Sequence, residues 1–425
     1  MGRSLGRPFR LFLAGQTVNG LGTMVSTVAL PLVAVERLHA STFDVGLLEA
    51  VEWVPALVIG LHVGALVDRY QRRTRAVMMA ANIGQAAAVA AVPGTAAAGL
   101  LTLPVLYTAA VTAGLFGVFF QTGYSPYLRQ LVTPDDYVVG SARLQAGQAA
   151  ARISGPALGG ALVGAVGPAT TLVADAVSFL VSFASLLAAS PGRPDPAAPL
   201  AKPRQPLRHE VGEGLRYLRA SPLLLTVAAA TAGANLFLTA IGAVEIVFLV
   251  RTVGVTATTI GLLFAASGVG GLAGALISGK LTSKIGNERV ARSALAVTAP
   301  AAVLIPLTHH GSVALFAVAS FTVSFGIALA SVALLSLRLR HTPAELQGRI
   351  SSSSRMLTSA TIPVGALAGG ALGQLIGTRP ALYAMAATFI IFSFALLRSP
   401  LKTPSSTPVV ARYALIGPGK RSGAT

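Results

Sequence analysis

The chain has 425 residues, of which 53% are hydrophobic and only 11% are charged, and its mean hydropathy is +0.71. Such an apolar composition excludes a soluble globular protein of this length. The formal net charge of +18 allows two interpretations, a nucleic-acid partner or a membrane topology that gathers basic residues on one side. Cysteine is absent, which excludes disulfides, thiolate metal sites and cysteine nucleophiles.

In chain order, the sequence contains twelve apolar stretches of about the 20 residues that a helix needs to cross a bilayer. They lie at 10–35, 44–67, 75–97, 101–124, 141–166, 168–189, 223–249, 256–280, 290–308, 311–335, 352–377 and 379–397. The first stretch is too long for a signal-peptide core and is expected to stay attached. The predicted fold class is therefore an all-α membrane protein with twelve transmembrane helices.

The basic residues decide between the two interpretations of the charge. With the N-terminus inside, Arg37, Arg251 and Arg379 fall in external loops and Arg152 falls within a helix, whereas every other lysine and arginine is cytoplasmic. This is the positive-inside distribution of membrane proteins. It predicts a cell-membrane protein with both termini in the cytoplasm and with membrane lipids, not nucleic acid, as its partners.

The sequence also repeats itself over six helices. Gly46-Leu47-Leu48 recurs as Gly261-Leu262-Leu263, and Gly159-Gly160-Ala161-Leu162 recurs as Gly369-Gly370-Ala371-Leu372. Two halves with the same helix order imply a pseudo-two-fold axis along the membrane normal and a solute path between the halves. The predicted units are an N-terminal six-helix half at 1–189 and a C-terminal six-helix half at 223–397. A Pro-rich linker with an amphipathic helix joins them at 190–222, and a disordered tail follows at 398–425.

The loop after the second stretch carries the most specific motif. It reads Gly64-Ala-Leu-Val-Asp68-Arg69-Tyr-Gln-Arg72-Arg73, which resembles the G-x-x-x-D-R-x-x-R-R signature of the major facilitator superfamily. The resemblance implies that these five named residues form a latch that holds one conformation of the transporter. The arginines would also face anionic lipid headgroups.

A second motif lies in the fifth stretch. Gly155, Pro156, Gly159 and Gly160 resemble the G-P-x-x-G-G element found in exporters of this superfamily, and small residues allow close helix packing. Over residues 8–397 the chain resembles the bacterial branch with macrolide efflux pumps and enterobactin exporters. That resemblance implies proton-driven export of a small amphipathic or hydrophobic molecule, such as a drug, siderophore or secondary metabolite.

Other functions remain as alternatives. An importer or a lipid flippase would have the same fold, and a non-transporting sensor would need a sizeable signalling domain. A membrane enzyme is not expected, because no H-E-x-x-H, G-x-S-x-G or paired aspartate occurs in a predicted helix. We expect a monomer with no metal site and no cofactor, whose energy source is the proton gradient.

Six ionisable residues within the predicted helices are candidates for function, because charge at membrane depth is costly, and one of them, His62, is expected to be a hydrogen-bonded packing residue. Glu49, Glu52 and Glu245 lie in the outer parts of their helices and are candidates for proton coupling. The alternative for Glu49 and Glu52 is that both are merely hydrated at the interface. Arg152 and Asp175 are predicted to form a buried structural pair.

Polar residues on the first and seventh helices are candidates for the substrate cavity. Gln16, Asn19 and Thr23 recur on one face of the first helix, and Asn235 and Thr239 echo them on the seventh. Such a stripe can also hold helices together through hydrogen bonds. The echo in both halves favours cavity lining.

We predict that Asp68→Asn lowers transport while leaving membrane insertion near normal, because the charge is expected to hold a latch rather than the fold. Transport rates in vesicles, normalised to inserted protein, measure the effect. The control is Asp135→Asn, which removes a loop carboxylate outside the motif. Equal transport by the Asp68 variant and the unchanged protein would contradict the latch.

Overall fold

The structure is a computed structural model that describes residues 5–69, 73–189, 212, 216–217, 219–342 and 347–398. Within these ranges the chain forms twelve long α-helices and no strand. The first half contains α1 (Arg7–Leu32), α2 (Thr42–Arg69), α3 (Thr74–Ala97), α4 (Leu103–Leu131), α5 (Tyr137–Val166) and α6 (Pro168–Ala188). The second half contains α7 (Pro222–Val247), α8 (Ala257–Ile285), α9 (Asn287–Ala301), α10 (Val313–Arg340), α11 (Gln347–Ile376) and α12 (Thr378–Arg398).

The predicted fold class is confirmed. Ten helical segments of the described ranges are long and apolar enough to cross a membrane, and α2 and α9 complete the twelve. Because α9 has only 15 residues, the 3-10 turn Ala302–Leu304 extends it. Several helices run beyond the predicted apolar stretches; α4, for example, continues to Leu131.

Local sequence signals set the helix boundaries. Ser221 begins α7 by accepting a hydrogen bond from the Leu224 amide at 3.4 Å, and Pro222 follows in the first turn. Gly167 and Gly377 join α5 to α6 and α11 to α12 with φ angles of 83° and 86°. Glycine adopts this left-handed conformation without steric cost, so both halves turn sharply at matching places.

The two halves share an irregularity as well. A π-helical turn, Val33–Arg37, ends α1, and another, Phe248–Val253, ends α7. The two turns begin 215 positions apart, the spacing that separates Gly46 from Gly261 in the sequence repeat. The repeat therefore extends from residue identity to backbone geometry.

We call the end of the bundle where α1 begins and α12 ends the terminal end, and the opposite end the far end. At the far end the halves touch through glycines. A Cβ on Gly370 of α11 would lie 3.1 Å from the Gly46 Cα of α2, and a Cβ on Gly160 of α5 would lie 2.9 Å from the Gly261 Cα of α8. These contacts are too close for any side chain, so the backbones meet directly.

The apolar cores follow the same pattern. At the far end one continuous core contains residues of both halves, including Val28 and Phe248. At the terminal end the first half has its own core around Phe12 and Tyr127, and the second half has another around Leu334. Among the described residues these two cores do not merge. The space between the halves therefore opens toward the terminal end.

We predict that Gly160→Val shifts the protein away from the conformation that is closed at the far end, because the valine would displace α8. Spin labels at Leu100→Cys and His310→Cys, in far-end loops of opposite halves, should move apart by several ångströms in double electron–electron resonance. The chain has no native cysteine, which simplifies the labelling. Gly271→Val is the matched control, since a Cβ there meets nothing within 4 Å. An unchanged distance in the Gly160 variant would exclude this contact as the closure.

Candidate functional site

Four carboxylates lie deep within the helical bundle. Glu49 and Glu52 belong to α2, Asp175 to α6 and Glu245 to α7. At about 1.5 Å per residue, each lies roughly 10–15 Å from the far end of its helical segment, when the π-helical turn Phe248–Val253 is counted with α7. Within a hydrocarbon layer, which is about 30 Å thick, ionisable side chains face the protein interior or a water-filled space.

The four carboxylates are close enough to influence one another. Glu49 interacts electrostatically with Glu52 and with Glu245 in the other half, and Glu52 interacts with Asp175. Among the described residues, no lysine or arginine forms an ion pair with any of the four. The arrangement is therefore a connected acidic group that spans both halves and lacks a neutralising cation in the described part of the chain.

Asp175 differs from the glutamates in its hydrogen bonds. It is 2% exposed, and its carboxylate accepts hydrogen bonds from the hydroxyls of Ser26 at 2.5 Å and Ser178 at 3.2 Å. The predicted buried pair with Arg152 is wrong. The Arg152 side chain is exposed, and the two serines take the place that the arginine was expected to fill.

The three glutamates accept no hydrogen bond from a described side chain or backbone amide. Glu52 lies deep in the bundle and yet its side chain is solvent-accessible, whereas Glu49 and Glu245 are half-buried. An accessible carboxylate within a membrane-spanning bundle is expected to line a water-filled space, because facing lipid would be costly.

The polar stripe of α1 holds helices together. The Gln16 amide donates to the Ser182 hydroxyl of α6 at 3.1 Å, and Asn82 of α3 donates to the same hydroxyl at 3.0 Å. Asn19 accepts a hydrogen bond from Ser178 at 3.4 Å. The expectation that Gln16 lines the cavity is therefore corrected, since it is only 6% exposed and faces α6. Thr23, one turn beyond Asn19 on the same helix, is half-buried.

The corresponding residues of α7 also bind a neighbour in their own half. Asn235 donates to the Thr358 carbonyl of α11 at 3.2 Å, and Thr239 donates to the Asn235 carbonyl at 3.0 Å. Gly365 of α11 packs directly on Thr239. Asn235 therefore joins α7 to α11, whereas Thr239 bonds carbonyls of its own helix, and cavity lining stays a prediction for these two residues.

The glycine motif of α5 faces two helices at once. Gly155 packs on Met24 of α1, and a Cβ on Gly159 would lie 3.0 Å from the Val25 Cα of the same helix. On its other side, the Pro156 carbonyl contacts Gly261 of α8, next to Gly160. The motif therefore joins a contact within the first half to a contact between the halves.

The predicted latch falls largely outside the described side chains. Those left out are Gly64, Asp68, Arg69 and Arg72. Arg73 is exposed, and the neighbouring Arg75 has a role that the sequence did not reveal. Its guanidinium donates to the carbonyls of Leu186 at 2.8 Å and Leu187 at 2.6 Å, which satisfies carbonyls at the end of α6.

Comparison with known proteins establishes the family. Residues 6–418 match the model of a family described as transmembrane secretion effector, within the major facilitator superfamily. The chain belongs to this family. It is thus a multi-pass membrane transporter of the major facilitator type.

Two relatives of this transporter are themselves described only as uncharacterised MFS-type transporters. YfiS of Bacillus subtilis is 27% identical over 369 residues, which cover 86% of each chain. The protein y4rN of Sinorhizobium fredii is 28% identical over 417 residues, covering 94% of this chain and 96% of its own.

Among solved structures, a bacterial homologue of the iron transporter ferroportin in an inward-facing state has the same fold. The TM-score is 0.72 at 17% identity, and the match covers 94% of this transporter and 100% of that chain. At such low identity the likeness concerns the fold alone.

The second half contains a cavity of about 60 Å³ that no sequence pattern indicates. It lies among α7, α8, α10 and α12, and Glu245 is its one acidic wall residue. Its aromatic and serine residues come from four helices that are distant in sequence. No local pattern could have brought them together.

We predict that Ser182→Ala destabilises the transporter by about 1–3 kcal/mol, because the buried amides of Gln16 and Asn82 both lose their acceptor. The melting temperature in detergent should fall accordingly. Ser185→Ala is the control on the same helix, since among the described residues that hydroxyl donates to the Ser182 carbonyl one turn earlier and to no other group. Equal melting temperatures for both variants would contradict the shared-acceptor role of Ser182.

Proposed function

We propose that this transporter exports a small amphipathic or hydrophobic molecule in exchange for protons. The observation that carries the proposal is the set of three glutamates, Glu49, Glu52 and Glu245, which lie deep between the helices without a hydrogen-bond donor or a cation among the described residues. A carboxylate in such surroundings is costly as an anion and much less so as a neutral acid. Proton binding and release are therefore coupled to whatever changes its surroundings.

Alternating access follows from the arrangement of the halves. The far end is closed by backbone contacts at Gly46/Gly370 and Gly160/Gly261, and the terminal-end cores are separate. If both termini are cytoplasmic, as the basic residues indicate, this conformation opens inward. Rocking of the halves about the deep carboxylates would close the terminal end and part the glycine contacts.

Glu52 is the strongest candidate for the proton site. Its side chain is accessible to solvent, and its negative charge is opposed by that of Asp175. Two serine hydroxyls donate hydrogen bonds to Asp175, whereas Glu52 accepts none from a described residue, so we place the exchangeable proton on Glu52. Asp175 then influences proton binding indirectly, as a positioning residue beside Glu52.

Direction and substrate class rest on two supports. The family description names secretion, and the second-half cavity is lined mainly by apolar side chains. A drug, a siderophore or another secondary metabolite would fit the exporter proposal, with resistance to an antibiotic as one consequence. An importer or a lipid flippase would use the same architecture and would differ in the direction of net movement.

The other elements of the proposal are simple. The proton gradient supplies the energy, and no cofactor is needed. The monomer is the working unit, because both halves of the path come from one chain. The site is the bacterial cell membrane, with both termini in the cytoplasm.

We predict that Glu52→Gln abolishes transport driven by a pH gradient, because glutamine keeps the size and polarity of the side chain but cannot titrate. Everted membrane vesicles with an acidic interior should lose uptake of an exported dye by about tenfold or more. Asp135→Asn, in an exposed position at the terminal end, should transport normally.

Two outcomes would contradict the proposal in different ways. Full gradient-driven uptake by the Glu52 variant would exclude this residue as the proton site. Net dye movement in the opposite direction in the unchanged protein would favour the importer.

A further inference from the structure

The cavity beside Glu245 combines features that suit one type of ligand. Its named walls comprise one carboxylate, three aromatic rings and two hydroxyls: Glu245, Phe237, Phe264, Phe389, Ser267 and Ser324. The remaining wall residues are alanine, valine, leucine, isoleucine and a third serine. Among the residues that the structure describes, no lysine or arginine lines it. The cavity is thus apolar and aromatic with a single acidic group.

The hydroxyls of the cavity are already engaged, but the carboxylate is not. Ser267 and Ser324 hydrogen-bond each other at 2.5 Å, and Ser320 donates to the Phe316 carbonyl of its own helix at 2.8 Å. Glu245 accepts no hydrogen bond from a described residue. A carboxylate in apolar surroundings that lacks a donor is poised to receive a positively charged one.

The aromatic rings strengthen this preference. Phe237 and Phe389 pack against each other with ring centroids 5.3 Å apart, and Phe264 joins them from α8. The faces of aromatic rings attract cations. Glu49, which interacts with Glu245 across the halves, places a second acidic side chain near the cavity and no basic one.

The site occurs only once in the repeat. At the offset of 215, the position of Glu245 corresponds to Leu30, and Phe264 and Ser267 correspond to Glu49 and Glu52. The fold therefore requires neither the acid in α7 nor the aromatic residue in α8. The second half therefore has the residues proposed to bind a cation, and the first half has those proposed to bind a proton.

We propose that this cavity binds the protonated amine of a cationic amphipathic substrate. The volume of about 60 Å³ holds an ammonium group or a few water molecules, not a whole drug-sized ligand. The ammonium donates to Glu245 and lies against the phenylalanine rings, while the apolar body of the substrate extends into the space between the halves. The inference rests on the proposed transport function and specifies its substrate class.

A binding experiment tests the site without a gradient, so its result is independent of proton coupling. Purified transporter in detergent is titrated at neutral pH with dansylcadaverine, a fluorescent primary amine, and with its uncharged N-acetyl derivative. The two probes share their apolar body. The unchanged protein should bind the amine about tenfold more tightly than the acetylated probe.

Variants of the cavity locate the preference. Glu245→Gln should bind both probes about equally, whereas Glu245→Asp, which retains the charge, should keep a preference for the amine. Phe264→Leu should weaken amine binding by about two- to fivefold, because it removes a ring face. Glu288→Gln, in the first turn of α9 and outside the cavity walls, should bind as the unchanged protein does.

The remaining outcomes each overturn the proposal. These are binding of neither probe by the unchanged protein, equal binding of both probes, and an amine preference that survives in Glu245→Gln. Loss of folding in Glu245→Gln would be recognised by its gel-filtration profile, and the aspartate and leucine variants then decide. Failure of gradient-driven transport in vesicles, with the amine preference intact, would instead count against the proposed proton exchange.

Discussion

The approach of glycine backbones at the far end is the constraint on which the rest of this structure depends. Gly46 meets Gly370 and Gly160 meets Gly261, and the two contacts are related by the internal repeat. Because no side chain intervenes, α2 lies directly against α11 and α5 directly against α8 at that end. The joint apolar core forms around these contacts, and the separation of the terminal-end cores follows from them.

The cost of charge in a low-dielectric interior explains how the deep polar residues divide. In the first half, deep polar groups hydrogen-bond one another. The hydroxyls of Ser26 and Ser178 donate to the Asp175 carboxylate, and the Ser182 hydroxyl accepts from the amides of Gln16 and Asn82. That network binds α1 and α3 to α6. The glutamates lie outside it, and groups left without such partners are the ones that can exchange a proton or bind a cation.

The proposed division of labour between Glu52 and Glu245 follows from their different surroundings. Glu52 faces solvent-accessible space beside another carboxylate, which suits a proton. Glu245 faces phenylalanine rings in a small cavity, which suits an ammonium group. Glu49, which interacts with both, links the two electrostatically across the halves. A proton at one position and a cation at the other would then influence each other without sharing a ligand.

The sequence by itself determined the twelve apolar helices and the repeat, because hydropathy and glycine spacing are local properties of the chain, and the length of each apolar stretch must match the thickness of the bilayer. It also identified Glu49, Glu52, Glu245 and Asp175 as unusual, since charge at depth is evident without a partner. Only the tertiary structure decided what each residue faces. The rotation of α5 exposes Arg152 and leaves Asp175 to two serines, and the polar stripe of α1 turns toward α6. The cavity beside Glu245 needs side chains from four helices, and their convergence depends on packing angles that no single stretch of sequence encodes.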